Sequence, residues 1–134
     1  MHRLIRTGER PPDRPVWHPA AVAAILLTLR FLLELALIAA VGAGAWEIAG
    51  GGAAGAFAAS LAAAAVVVVW GLAIAPRAKR RLPDPARLML EMVLFVIGGL
   101  ALVATDQTLL GIVFAMTSAA VAVAVRQLSG GIAP

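Results

Sequence analysis

Four stretches of this chain are each apolar for longer than a soluble core helix needs, over about 20–45, 53–75, 88–104 and 109–125. A helix that crosses a bilayer needs about 20 predominantly apolar residues, within roughly 17–25. In hydrocarbon every backbone N–H and C=O must be satisfied within the protein, so helices or closed barrels are the permitted structures. Membrane strands alternate apolar and polar residues. These runs are continuously apolar, which excludes the barrel. The predicted class is all-α: an integral membrane four-helix bundle. Composition agrees, at 62% hydrophobic and 13% charged. A soluble domain carries about 25% charged residues, and a disordered chain combines low hydrophobicity with high charge.

Short separators join the runs: Trp46-Glu47 with Gly50-Gly51-Gly52, then Pro76 to Arg87, then Thr105-Asp106-Gln107-Thr108. Short links make successive helices antiparallel neighbours. The division is therefore a basic tail over 1–19, a membrane domain over 20–126 and a short tail over 127–134. Pro76 is expected to stop the second helix. Asp84 reads as the N-cap of the third, with Pro85 at its first position. Gly130-Gly131 suits the close of the fourth. Trp17, Trp46 and Trp70 fall near the predicted interfaces, where indole prefers to sit. The basic start and Ala43-Gly44-Ala45 resemble a signal peptide and its cleavage site. The apolar run is too long for one, and Arg30 and Glu34 interrupt it.

Charge then orients the bundle. Ten of the 11 Lys and Arg residues fall on one face. Arg3, Arg6, Arg10 and Arg14 lie in the tail; Arg77, Lys79, Arg80, Arg81 and Arg87 lie in the 76–87 loop; Arg126 follows the fourth run. The other two connections carry Glu47 and Asp106 and no base. Positive residues mark the cytoplasmic side, so both termini and the 76–87 loop are expected there. Basic residues near an anionic leaflet gain about 1 kcal/mol each. The Arg77, Lys79, Arg80 and Arg81 loop is thus expected to meet lipid or a partner. No aromatic interleaves these bases, which argues against a nucleic-acid partner.

Arg30-Phe31-Leu32-Leu33-Glu34 on the first run matches Arg87-Leu88-Met89-Leu90-Glu91 on the third. At 1.5 Å per residue both glutamates lie roughly 20 Å below the outer surface. The chain reads as two tandem helical hairpins, related by an axis along the membrane normal. By the same measure Ala20 to Leu29 projects about 15 Å past Arg30, so the first helix is expected to tilt or to lie along the inner interface. Rows of small residues (Gly51, Gly55, Ala59 and Ala63; Gly111, Ala115 and Ala119) permit close helix approach. With 31 alanines in the chain such spacings also arise by chance. They support a tight bundle and no chosen dimer face.

Arg30, Glu34, Arg87 and Glu91 form the one intramembrane charge set. A charge at the bilayer centre costs about 2.5–3.5 kcal/mol on insertion scales, so such residues turn inward and pair. Arg before Glu at i,i+4 is the weaker intrahelical order. The expected pairs are therefore Arg30 with Glu91 and Arg87 with Glu34, or one shared cluster. The set is either a clasp between hairpins or a site for a ligand or proton. His2 and His18, the only histidines, stand in the tail, and there is no cysteine. No metal or cofactor and no enzymatic chemistry is expected.

The pieces Arg30-Phe31-Leu32-Leu33-Glu34-Leu35, Trp70-Gly71 with Ala75-Pro76, Arg81-Leu82-Pro83-Asp84-Pro85, Arg87-Leu88 and Leu90-Glu91 resemble the YrdB family of small bacterial membrane proteins. The resemblance covers roughly 24 to 126. It implies four spanning helices in a bacterial inner membrane and no known activity. The long basic tail and the arginine-rich loop depart from that family's pattern. Three functions follow as expectations. The first is an accessory or interaction subunit with an Arg/Glu clasp, as a homo-oligomer or with a membrane protein partner. The second is a small proton-coupled transporter using Glu34 and Glu91. A glutamate in the first of four helices resembles the small multidrug transporters, although those use an unpaired glutamate and an aromatic cage. The third is an anionic lipid binder at Arg30 and Arg87.

Overall fold

A computed structural model describes residues 19–75 and 82–130. It contains four long helices: α1 (Pro19–Ile48), α2 (Gly52–Val69), α3 (Asp84–Val103) and α4 (Thr108–Gly130). A π-helical turn, Trp70–Ile74, continues α2. Each of the four spans is long and apolar enough to cross a membrane. There is no strand among the described residues.

The α1–α2 and α3–α4 turns are built alike. At the first, the Gly51 N–H donates to the Trp46 carbonyl and the Gly50 N–H to that of Glu47. At the second, the Gln107 N–H donates to Leu102 and the Asp106 N–H to Val103. These paired bonds are the Schellman motif, which satisfies the last carbonyls of a helix and requires a left-handed residue. Gly50 supplies it at φ 77° and Asp106 at φ 60°. Asp is among the few side-chain-bearing residues that tolerate this region. In both turns the next helix then begins at once: Gly55 donates to the Gly51 carbonyl and Gly111 to that of Gln107.

The opposite connection differs from expectation. α2 does not run as an α-helix to Pro76; its last turn widens, and the Ala75 N–H reaches back five residues to the Trp70 carbonyl. Ala75 is extended at φ −54°, ψ 146°, as a residue before proline must be. The Ala73 carbonyl takes its hydrogen bond from the Leu82 N–H on the far side of the loop. At the α3 start, Asp84 is the first helical residue and Pro83 holds the cap position with no side-chain cap bond. The N-cap reading of Asp84 is corrected accordingly: its carboxylate is engaged by arginines instead.

α1 is the hub. It packs against α2, α3 and α4, and α3 packs closely on α4. Neither α3 nor α4 makes a comparable interface with α2, although the π turn touches α3. The repeat is therefore local: the two hairpin turns correspond, but the helices do not pack as two equivalent hairpins about an axis. Leu37, Val66, Ile74, Leu94, Phe95, Phe114 and Ala122 form the buried core. Phe95 and Phe114 meet edge to face, with centroids 6.0 Å apart. Glycines set the spacing. A Cβ on Gly111 would stand 2.5 Å from the Gly99 carbonyl oxygen, and one on Gly44 would stand 2.8 Å from the Ala101 Cβ. Lipid tails are as apolar as leucine, so close van der Waals packing of this kind holds membrane helices together. α2 has few buried positions, and Phe57 and Leu61 on it are exposed. The turns of α1 before Arg30 are exposed too, including Ile25 and Leu27.

Candidate functional site

Arg30 and Glu34 lie one turn apart on the same face of α1, and Glu91 lies on α3. The Arg30 guanidinium joins all three. Its Nε donates to Glu34 Oε1 at 3.1 Å and its Nη2 to Glu91 Oε1 at 2.6 Å. Glu91 is 5% exposed, so the second bond crosses between helices away from solvent. Arg presents donors along two edges of a rigid plane, which is why one side chain can serve two carboxylates. The Arg30–Glu91 pairing is as the sequence suggests. Arg30 also takes the less favourable intrahelical pair, because its Nε is left free to do so.

The expected Arg87–Glu34 pair does not form, but the alternative of one shared cluster holds, because ion pairs link Glu34, Arg30, Glu91 and Arg87 in a chain. Arg87 sits in the first turn of α3 and reaches Asp84 at 3.1 Å, three residues earlier. Its Nε faces Glu91 Oε1 at 3.8 Å. That distance is beyond a hydrogen bond, and Arg87 Nε is buried with no hydrogen-bond partner. Glu34 is held by Arg30 and lines a different groove, between α1 and α2.

Two residues not assigned to the cluster from sequence belong to it. Asp84 Oδ1 lies between Arg87 at 3.1 Å and Arg126 Nη2 at 3.3 Å. Arg126 reads in the sequence as a topological charge after the last span, yet α4 continues past it to Gly130. The signal was present. Ser118 and Ala122 are buried, and Arg126 follows them at four-residue steps on the same helical stripe.

Three arginines and two carboxylates thus surround one cavity of about 250 Å³, from Arg30 on α1, Asp84, Arg87 and Glu91 on α3, and Arg126 on α4. Ala122 and Val125 complete its wall. On the other side of Arg30, an apolar groove of about 180 Å³ runs between α1 and α2, with Glu34, Phe31 and Trp70 among its lining. The Trp70 indole N–H is buried without an acceptor. Trp46 lies at the opposite end of the bundle, 40% exposed, with its ring against Gly51 and Gly55. Trp17, Arg77, Lys79, Arg80 and Arg81 lie outside the described residues, as do the first 18 residues of the tail.

Four membrane-length apolar helices, packed through glycine crossings around a partly buried ion-pair set, define a polytopic α-helical membrane protein. Within that class, the chain belongs to the family described as Protein of unknown function (DUF2568), whose model matches residues 28–126. That span begins just before Arg30 and ends at Arg126, so it includes every charged residue of the cavity. No curated protein and no solved structure matches the chain.

Proposed function

We propose that this protein is a non-enzymatic accessory or interaction subunit of the bacterial inner membrane. Both termini and the 76–87 loop face the cytoplasm, and the Arg30–Glu91 pair clasps α1 to α3. The observation that supports this is the 2.6 Å bond from Arg30 to a nearly buried Glu91. Removing one partner of a buried pair strands the other charge and costs about 3–5 kcal/mol, whereas replacing both by apolar residues of similar volume is often neutral. A clasp therefore predicts a strongly non-additive cycle. Arg30→Met and Glu91→Met should each lower the thermal midpoint in mild detergent, and the double variant should lose clearly less than the sum, the remaining loss reflecting Glu34 without Arg30. Equal losses that simply add would remove the clasp. The subunit role has its own test, native purification and mass determination of what comes with the protein. A stoichiometric protein partner supports it. A homo-oligomer without any other protein moves the assignment to transport.

One observation favours that second reading. Glu34 borders an apolar groove with Phe31 and Trp70, a setting suited to a small amphipathic cation. Proton release on cation addition, abolished by Glu34→Gln, is its expected signature. No release with any cationic substrate tried would discard it.

A further inference from the structure

We propose that the arginine-lined cavity between α1, α3 and α4 binds one phosphate-type oxyanion, carried by a phospholipid headgroup or free in solution. Arg30, Arg87 and Arg126 line the cavity with Asp84 and Glu91, and Arg30 is also paired with Glu34 on the side of the α1–α2 groove. The ion-paired set is therefore balanced in charge, and what the cavity offers an anion is guanidinium donors, three groups against two carboxylates in its lining.

Hydrogen bonding leads to the same place. Glu91 Oε1 accepts from Arg30 at 2.6 Å but stands 3.8 Å from Arg87 Nε, which is buried and without a hydrogen-bond partner. A buried guanidinium N–H without a partner is costly, and a charged acceptor is its strongest remedy. Arg87 and Arg126 share a single oxygen, Asp84 Oδ1, at 3.1 and 3.3 Å. Asp84 itself is two-thirds exposed, at 68%, so it leaves a path into the cavity.

Size and position fit. A cavity of about 250 Å³ far exceeds the ~10–15 Å³ that holds one water. Guanidinium forks match the paired oxygens of phosphate, and the positive end of the α3 dipole lies alongside. The site is also at the end of the bundle that continues into the basic 76–87 loop, where headgroups are found if the threading is correct. Arg87, Arg126 and Asp84 stand outside the Arg30–Glu91 pair, although that pair holds the carboxylate nearest to Arg87 Nε. Variants at these residues therefore fail or succeed independently of the Arg30–Glu91 cycle.

The test uses the full chain in detergent, stripped of lipid. Phosphatidylglycerol and inorganic phosphate are titrated separately, with native mass spectra for stoichiometry and the thermal midpoint for affinity. One saturable equivalent is expected. Binding of phosphatidylglycerol alone identifies a lipid headgroup site, and binding of inorganic phosphate as well identifies a site for free phosphate. Arg126→Gln should weaken binding about tenfold, the equivalent of one charge-assisted hydrogen bond. Arg87→Gln should do at least as much. Asp84→Asn carries the sharper prediction: it removes the competing carboxylate, so affinity should rise while stability falls. A purely structural cluster would lose stability in all three variants with no gain in binding. No saturable binding of either probe, or an affinity unchanged by Arg126→Gln, would overturn the proposal.

Discussion

Gly99 and Gly111 fix how near α3 and α4 come. At this crossing each backbone lies where the other's side chain would start, since a Cβ on Gly111 would be 2.5 Å from the Gly99 oxygen. Gly111→Ala should therefore cost about 1–3 kcal/mol of bundle stability, the range for overpacking a well-packed site. Gly71, with nothing within 4 Å of its would-be Cβ, is the control. Gly71→Ala should leave the thermal midpoint unchanged or slightly raised, because alanine restricts the unfolded chain more than glycine does. Similar losses at both sites would mean that the close crossing does not govern the effect, since alanine has the better helix propensity at either position. The residue scale also shows what one sequence can and cannot reveal. Arg30 and Glu91 were legible as partners because two isolated charges in apolar runs must find each other. The Arg87–Asp84–Arg126 set was not. Asp84 looked like a cap and Arg126 like a tail charge, and only the folded arrangement brings α3 and α4 together at that level.

Among the elements, the turns carry the clearest rules. Two Schellman motifs close α1 and α3, one through Gly50 and the other through Asp106. A β-carbon in the left-handed region costs roughly 1–2 kcal/mol. Gly50→Ala should destabilise the protein by about that amount, and Gly50→Asn by visibly less, since asparagine tolerates the conformation. Equal midpoints for the two variants would argue that the turn relaxes to another form. The glycine run and the Thr-Asp-Gln-Thr separator announced both turns in the sequence. The π turn at Trp70–Ile74 was not announced. It trades α-helical pairing for a bond from Ala75 to Trp70, and the freed Ala73 carbonyl is met by Leu82 from across the loop. A local reading sees Pro76 as a stop but cannot see which distant N–H will serve the carbonyls stranded before it.

For the whole molecule, the threading is the first thing to test. The chain has no cysteine, so single introduced cysteines report without background. Glu47→Cys and Gln107→Cys stand at the two Schellman turns, and Gln107 is exposed. Both should react with an impermeant maleimide in intact cells, whereas Arg77→Cys should react only after permeabilisation. The reverse pattern would invert the assigned sidedness. By itself the sequence determined the number of spans, the antiparallel order and the residues that must seek charge partners. Those follow from hydrophobic length and from the cost of charge in hydrocarbon, both properties of short segments. The tertiary structure alone decided that α1 is the hub with α2 at the rim, so that two similar hairpins pack inequivalently. It also decided that three arginines from three helices share one cavity. Such outcomes depend on which small residues let which helices approach, and in a chain rich in alanine and glycine many pairings look equally permissible until the helices are docked.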